Sequence, residues 1–177
     1  MVEGDTQKVE RMKQIIFKAI KQHSVKPIEE LFDKGFPVDL AIMPNEVNAL
    51  LYCSAVGDAK CLEAILAAKP KADYVDTSGK NCLHYACKAG NTANFKVLFD
   101  AYGGDEEINL LDAQSEAGVT PLMLAVQSVQ PELVVECLNN QANPFLIDGF
   151  AKNAQDYAQH LQDVRGVNFK NLIVQAE

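Results

Sequence analysis

The chain has 177 residues and a mass of 19.4 kDa; 48% of it is hydrophobic and 23% charged, and 16 basic against 24 acidic side chains leave a net charge of −8. This mixture is too apolar for a disordered tail, and its sign argues against a nucleic-acid or anionic-membrane ligand, each of which needs a net basic face. The charge is local: residues 1–100 and 149–177 each sum to zero, while residues 101–148 hold eight carboxylates and no Lys or Arg.

The first predicted element is a helix with Val9, Met12, Ile15, Ile16, Ala19 and Ile20 on one stripe and Lys8, Arg11, Lys13, Lys18 and Lys21 on the polar side. A second follows Ser24, with Pro27 in its first turn and Ile28, Leu31 and Phe32 on its buried face. Asn48 to Gly57 reads as a short helix. Gly79 to Gly90 reads as a tight turn and a helix built on Leu83, Ala86 and Cys87, followed by a partner carrying Phe95, Leu98 and Phe99. Thr120 is an N-cap and Pro121 a first-turn proline, with Leu122, Ala125 and Val126 at helical spacing. Pro131 opens the next helix, whose stripe is Leu133, Val134, Cys137 and Leu138. Lys152 to Ala158 repeats the pattern weakly, and Asn168 to Val174 is expected to pack back as a closing helix. Gly79 and Gly118 precede their helices where a residue free of Cβ strain is favoured.

These elements recur. Leu50 and Leu83 are 33 residues apart, as are Leu122 and Gln155, whereas Leu83 and Leu122 are 39 apart, so six residues are inserted at about Ala101–Ser115. Thr120-Pro121-Leu122-Met123-Leu124-Ala125 and Asn81-Cys82-Leu83-His84-Tyr85-Ala86 resemble the TPLHxA signature of ankyrin repeats. A second marker of that family, a Gly-Ala-Asp/Asn-Pro/Val turn, is echoed at Gly35 to Asp39, Lys71 to Asp73 and Gln141 to Pro144. The resemblance implies an all-α solenoid of stacked helix-turn-helix units with short β-hairpin or loop tips. It covers nearly the whole of residues 1–177, as one domain of five units at about 6–42, 43–75, 76–114, 115–147 and 148–177. The first and last are degenerate caps, so the array is expected to be complete. No unit buries its apolar faces alone; stacking does so.

The search for chemistry ends empty. No GxSxG, HExxH, P-loop or dinucleotide fingerprint occurs, and Glu106-Glu107 is an acid pair of a polar loop. The expectation is a chain that is no enzyme and carries no cofactor. Cys82, His84 and Cys87 lie within six residues, but not at zinc-finger spacing and with no second ligand pair. Five cysteines, Cys53, Cys61, Cys82, Cys87 and Cys137, read as small buried hydrophobes of a reducing compartment. The resemblance makes His84 a structural hydrogen-bonding group.

A protein partner remains. In ankyrin-like arrays the tips and the exposed faces of the inner helices line a groove. Carried onto this sequence, the tips are Pro44 and Asn45; Thr77, Ser78 and Lys80; Glu116, Ala117 and Val119; and Gly149, Phe150 and Lys152. The floor is Tyr52, Tyr85, Lys88, Leu124, Gln127 and Tyr157. Tyr52, Tyr85, Leu124 and Tyr157 share one place in four units, which reads either as an interface hot spot or as packing between half-buried helices. Phe150 reads as a contact. The insertion, with Asp105, Glu106 and Glu107 before Ile108, Leu110 and Leu111, reads as a second contact or as a solvated loop. Glu132 and Glu136 belong to an outer helix and serve solubility. The expected partner is a protein, basic over a small area opposite units three and four, bound by a monomer that stays in the cytosol or reaches the nucleus by diffusion or with a partner. The chain is either a free regulator or a fixed subunit of a larger assembly. No segment has the ~20 apolar residues of a membrane span, and the acidic start is not that of a signal peptide.

Overall fold

The computed structural model describes residues 2–103, 108–165, 169 and 173. In chain order these form α1 (Val2–Lys21), α2 (Val25–Asp33), the strands β1 (Ala41–Met43) and β2 (Val47–Asn48), α3 (Ala49–Val56), α4 (Ala59–Ala67), α5 (Cys82–Ala89), α6 (Thr92–Tyr102), α7 (Pro121–Gln127), α8 (Pro131–Asn139) and α9 (Ala154–Arg165). The helices pack as two rows. The inner row runs α1, α3, α5, α7, α9, and the outer row α2, α4, α6, α8. The strands form one antiparallel hairpin at the second tip. This is the all-α solenoid the repeats predict.

Apart from the 20-residue α1, the helices have 7–12 residues and are too short to hold themselves in water. Local caps and stacking hold them instead. Asn48, Asp58, Asn81, Asn91 and Thr120 each accept a backbone N–H of the first turn at 2.9–3.3 Å. Pro121 and Pro131 sit in first turns, as expected. Ser24 holds the N-cap position of α2, but its side chain makes no cap bond. Between the rows lies one continuous core that includes Ile16, Ile28, Leu50, Ile65, Leu83, Phe95, Leu122 and Leu133. Alanines at 49, 86, 125 and 158 are buried along the inner row, where small side chains let helices approach closely.

Three expectations need correction. Ile16, Ala19 and Ile20 are buried, but Val9 and Ile15 are 39% and 41% exposed. An end helix has neighbours on one side only, and α1 packs on α2, α3 and β1, so its buried stripe is narrower than its apolar one. The aliphatics of the insertion form neither an exposed contact nor a solvated loop. Leu110 and Leu111 are buried, and the Leu110 carbonyl accepts the Asn81 side-chain amide at 2.9 Å. They fold back because burying aliphatic side chains against the end of α6 removes apolar surface from water, which offsets the entropy of ordering and closing the loop. Third, Leu124 is only 8% exposed and so belongs to the packing, not to the groove floor. Asp105, Glu106 and Glu107 lie outside the described residues, as does most of the expected closing helix. Of that segment, Phe169 and Ile173 are buried, with the Ile173 N–H bonded to the Phe169 carbonyl one turn earlier.

Candidate partner-binding groove

Each tip is a turn closed on itself and bonded to its neighbour. Asp76 N–H meets the Lys80 carbonyl at 3.0 Å, Ser115 that of Val119 at 3.0 Å, and Asp148 that of Lys152 at 2.9 Å. Between tips, Thr77 N–H donates to Asn45, Glu116 to Ser78 and Gly149 to Ala117, at 2.8–3.0 Å. The tips therefore form a ladder spanning four units. The third residue after the turn opens is left-handed in each: Glu46 (φ +58°), Gly79 (+74°), Gly118 (+75°) and Ala151 (+57°). Glycine relieves this conformation in the middle two tips and is absent from the outer two.

Two aspartates organise the third and fifth tips. Asp76 Oδ1 accepts the N–H groups of Ser78 and Lys80 at 2.8 and 2.9 Å and the Ser78 hydroxyl at 2.7 Å, and its Oδ2 accepts the Tyr85 hydroxyl at 2.9 Å. Asp148 accepts from Phe150 and Lys152 N–H and from the Tyr157 hydroxyl. Burial alone would raise both carboxyl pKa values. The donors outweigh it: chiefly the Lys80 N–H and Ser78 hydroxyl at Asp76, and the Tyr157 hydroxyl and Lys152 N–H at Asp148, hold both below the usual value. Burial, then the carboxylate, pushes Tyr157 up to about 12 and raises Tyr85 too. Both tyrosines are thus neutral donors to their own tips. Tyr52 differs: it stacks on Phe17 with ring centroids 4.9 Å apart.

A cavity of about 340 Å³ opens between the second and third tips, lined by Asn45, Asp76, Thr77, Ser78, Lys80, His84, Tyr85 and Lys88. It brings together Thr77, Ser78, Lys80, Tyr85 and Lys88 from the expected site. Asn45, Asp76 and His84 join them from outside it, though Asn45 had been placed at a tip. Glu116, Gln127 and Lys152 are exposed, Val119 and Tyr157 half-buried, and Phe150 is 78% exposed at the fifth tip. The two aspartates went unassigned in the sequence although a signal existed. Asp-x-x-x-Lys-Asn-x-x-x-Tyr occurs at 76–85 and again at 148–157.

His84 is fully buried. Its Nε2 lies 2.9 Å from the Val119 carbonyl of the next tip and its Nδ1 faces Asn81. With the proton on Nε2, the ring bridges two units. Burial lowers its pKa to about 4, so it is neutral at pH 7. All five cysteines are buried free thiols, and Cys87 and Cys137 face each other at 3.9 Å across adjacent units. Among the described residues no group of three or more His, Cys, Asp or Glu is placed to hold a metal ion, and no helix is long and apolar enough to cross a membrane.

Two rows of short helices, stepped by a recurring unit and edged by hydrogen-bonded tips, define a repeat solenoid. The chain belongs to the ankyrin-repeat family: the family model for three copies of the repeat matches residues 50–148. Neurogenic locus notch homolog protein 1 of Xenopus laevis is 28% identical over 117 residues, 66% of this chain and 4% of that protein. Neurogenic locus notch homolog protein 2 of Homo sapiens is 28% identical over 116 residues, again 66% and 4%. The chain therefore matches only a small part of the curated relatives' length. Ankyrin repeats generally mediate protein–protein interaction and typically act without catalysis.

Proposed function

We propose that this chain is a non-catalytic interaction module that docks a protein partner in the groove between its tips and inner helices. The observation that carries this reading is the hydrogen-bonded tip ladder with its cavity, which offers a preformed surface at low ordering cost to a partner. The array is read as one domain of five units over residues 1–177, acting as a cytoplasmic monomer. The contact set is Tyr52, Thr77, Ser78, Lys80, Tyr85, Lys88, Glu116, Val119, Gln127, Phe150, Lys152 and Tyr157. Asp105 to Glu107 form a separate acidic contact for a locally basic patch of the partner.

The test is affinity capture from the native extract by the wild-type chain and by Phe150→Ala with Gln127→Ala. Loss of the captured chain in the variant supports the groove. Undiminished capture sinks it. Capture through the acidic window weakens as salt rises, because exposed charges are screened beyond about 8–10 Å at physiological ionic strength.

A further inference from the structure

The net charge of −8 suggests a groove that attracts cations, but the charged side chains that reach the surface of the cavity are lysines, Lys80 and Lys88. Asp76 and Asp148 are buried, and their oxygens are occupied by the N–H and hydroxyl groups of their own tips. Both are ionised, but their charge is directed into the donors of their own tips, so they hold the tips in shape and present no free oxygen to a ligand. Lys80 and Lys88 share the wall of the cavity. The Lys80 Nζ is steadied by the Ser78 hydroxyl at 2.7 Å. Two units further on, Lys152 takes the place of Lys80, with its Nζ 6.0 Å from the centre of the Tyr157 ring. None of the three makes a salt bridge to a described carboxylate; the ion pairs are at Lys13, Lys34 and Lys96 instead. At the place of Lys88 in the next two inner helices stand Gln127 and His160, neither of them acidic.

The fourth tip breaks this pattern. It has Ser115 for the aspartate, Val119 for the lysine and Leu124 for the tyrosine, with exposed Glu116 at its apex. The second tip carries Glu46. Cationic positions thus face the third and fifth units, and an apolar position flanked by an acid faces the fourth.

We propose that the groove takes an extended acidic segment of a partner protein, with carboxylates over Lys80 and Lys88 and over Lys152, and an uncharged or apolar stretch across Val119 between them. Two unit steps of 8–10 Å each separate the cationic positions by about 20 Å, which roughly six extended residues span. Glu116 fixes the register, because an acid of the segment placed opposite it is repelled. This inference rests on the docking reading above and adds the charge of the occupant.

The test uses two synthetic peptides of about nine residues with the same leucine-containing centre, one with glutamates at both ends and one with lysines. Both are titrated by NMR into the full chain, and a groove signal is one that shifts at Thr77, Lys88 or Lys152. The wild type is expected to bind the glutamate peptide about tenfold more tightly than the lysine peptide at low salt. The K80E/K88E/K152E variant reverses the order, while K60E on α4 leaves it unchanged. All variants are checked for helical content, and any unfolded variant is replaced by the single K152E, for which a partial loss is expected. Equal affinity for the two peptides, or preference for the lysine peptide, overturns the acidic occupant while groove-mapped binding of either keeps the docking reading. Absence of groove-mapped binding by both at millimolar concentration overturns both.

Discussion

At the scale of single residues, the tips set up two opposed substitutions. Gly118 is left-handed, and a Cβ there would sit 2.9 Å from the Asp148 Cα and 3.1 Å from the Gly149 nitrogen. Those are backbone atoms of the next tip and cannot rotate aside. Gly118→Ala is expected to cost about 2 kcal/mol, from left-handed strain together with the displaced neighbour. Ala151 holds the same place in the last tip at φ +57°. Ala151→Gly relieves that strain but enlarges the unfolded ensemble, leaving a gain of up to about 1 kcal/mol. Urea melts of both variants should move in opposite directions; a shared direction would mean the tips are not constrained as described. His84 gives a second test at this scale. Its folded pKa of about 4 lies below the ordinary 6.5, so the unfolded chain takes the proton first. Stability is full above pH 6.5 and falls as pH drops toward 4, by roughly 3 kcal/mol at the bottom of that window. His84→Gln should start less stable at pH 7 and lose less than the wild type between pH 7 and 4.5. Parallel loss would remove His84 as the cause.

At the scale of elements, the hydroxyls of Tyr85 and Tyr157 are not equivalent to that of Tyr52. The first two close their own tips onto the helix through Asp76 and Asp148, whereas Tyr52 meets its surroundings through its ring. Tyr85→Phe leaves one oxygen of a buried carboxylate without its donor and is expected to cost about 1.5 kcal/mol. Tyr52→Phe keeps the stacked ring and should lie within about 0.5 kcal/mol of wild type. Equal effects in urea unfolding would refute the tip-closing role. The same contrast shows where the sequence was readable. The helices were visible because their capping and apolar positions lie within one turn of each other. The tyrosine stripe was visible as a stripe, but its two explanations could not be separated, because the answer lies nine residues upstream in a turn. A carboxylate at 76 and a phenol at 85 meet only when the chain reverses between them. The insertion was harder still. Ile108, Leu110 and Leu111 occur once, with no second copy to show which way they face, and the Leu110 carbonyl is tied to Asn81, 29 residues away.

At the scale of the whole molecule, each helix pair touches only its neighbours, so stability passes from unit to unit rather than residing in one centre. The 33-residue recurrence was legible for this reason: stacking imposes the same positions on each copy. The copies at the ends escape that demand on one side, and there the sequence is least regular. Phe169 and Ile173 follow α9 in the chain and are buried in the same core, while α9 itself packs on α7. Phe169→Ala removes a large, fully buried side chain, a loss of about 3–5 kcal/mol, which an end unit held on one face is poorly placed to absorb. The expected result is local unfolding rather than global: amide exchange in α9 rises toward the unprotected rate while α3 and α5 keep their protection. Leu83→Ala, in the middle of the inner row, should instead lower protection on both sides. Because Lys152 lies in the tip before α9 and Tyr157 on α9 itself, Phe169→Ala should also weaken the glutamate peptide at its Lys152 end while signals at Thr77 and Lys88 still shift. A uniform loss of protection throughout the chain, with binding lost at both ends together, would show that the array melts as one body and that its last unit is no separate cap.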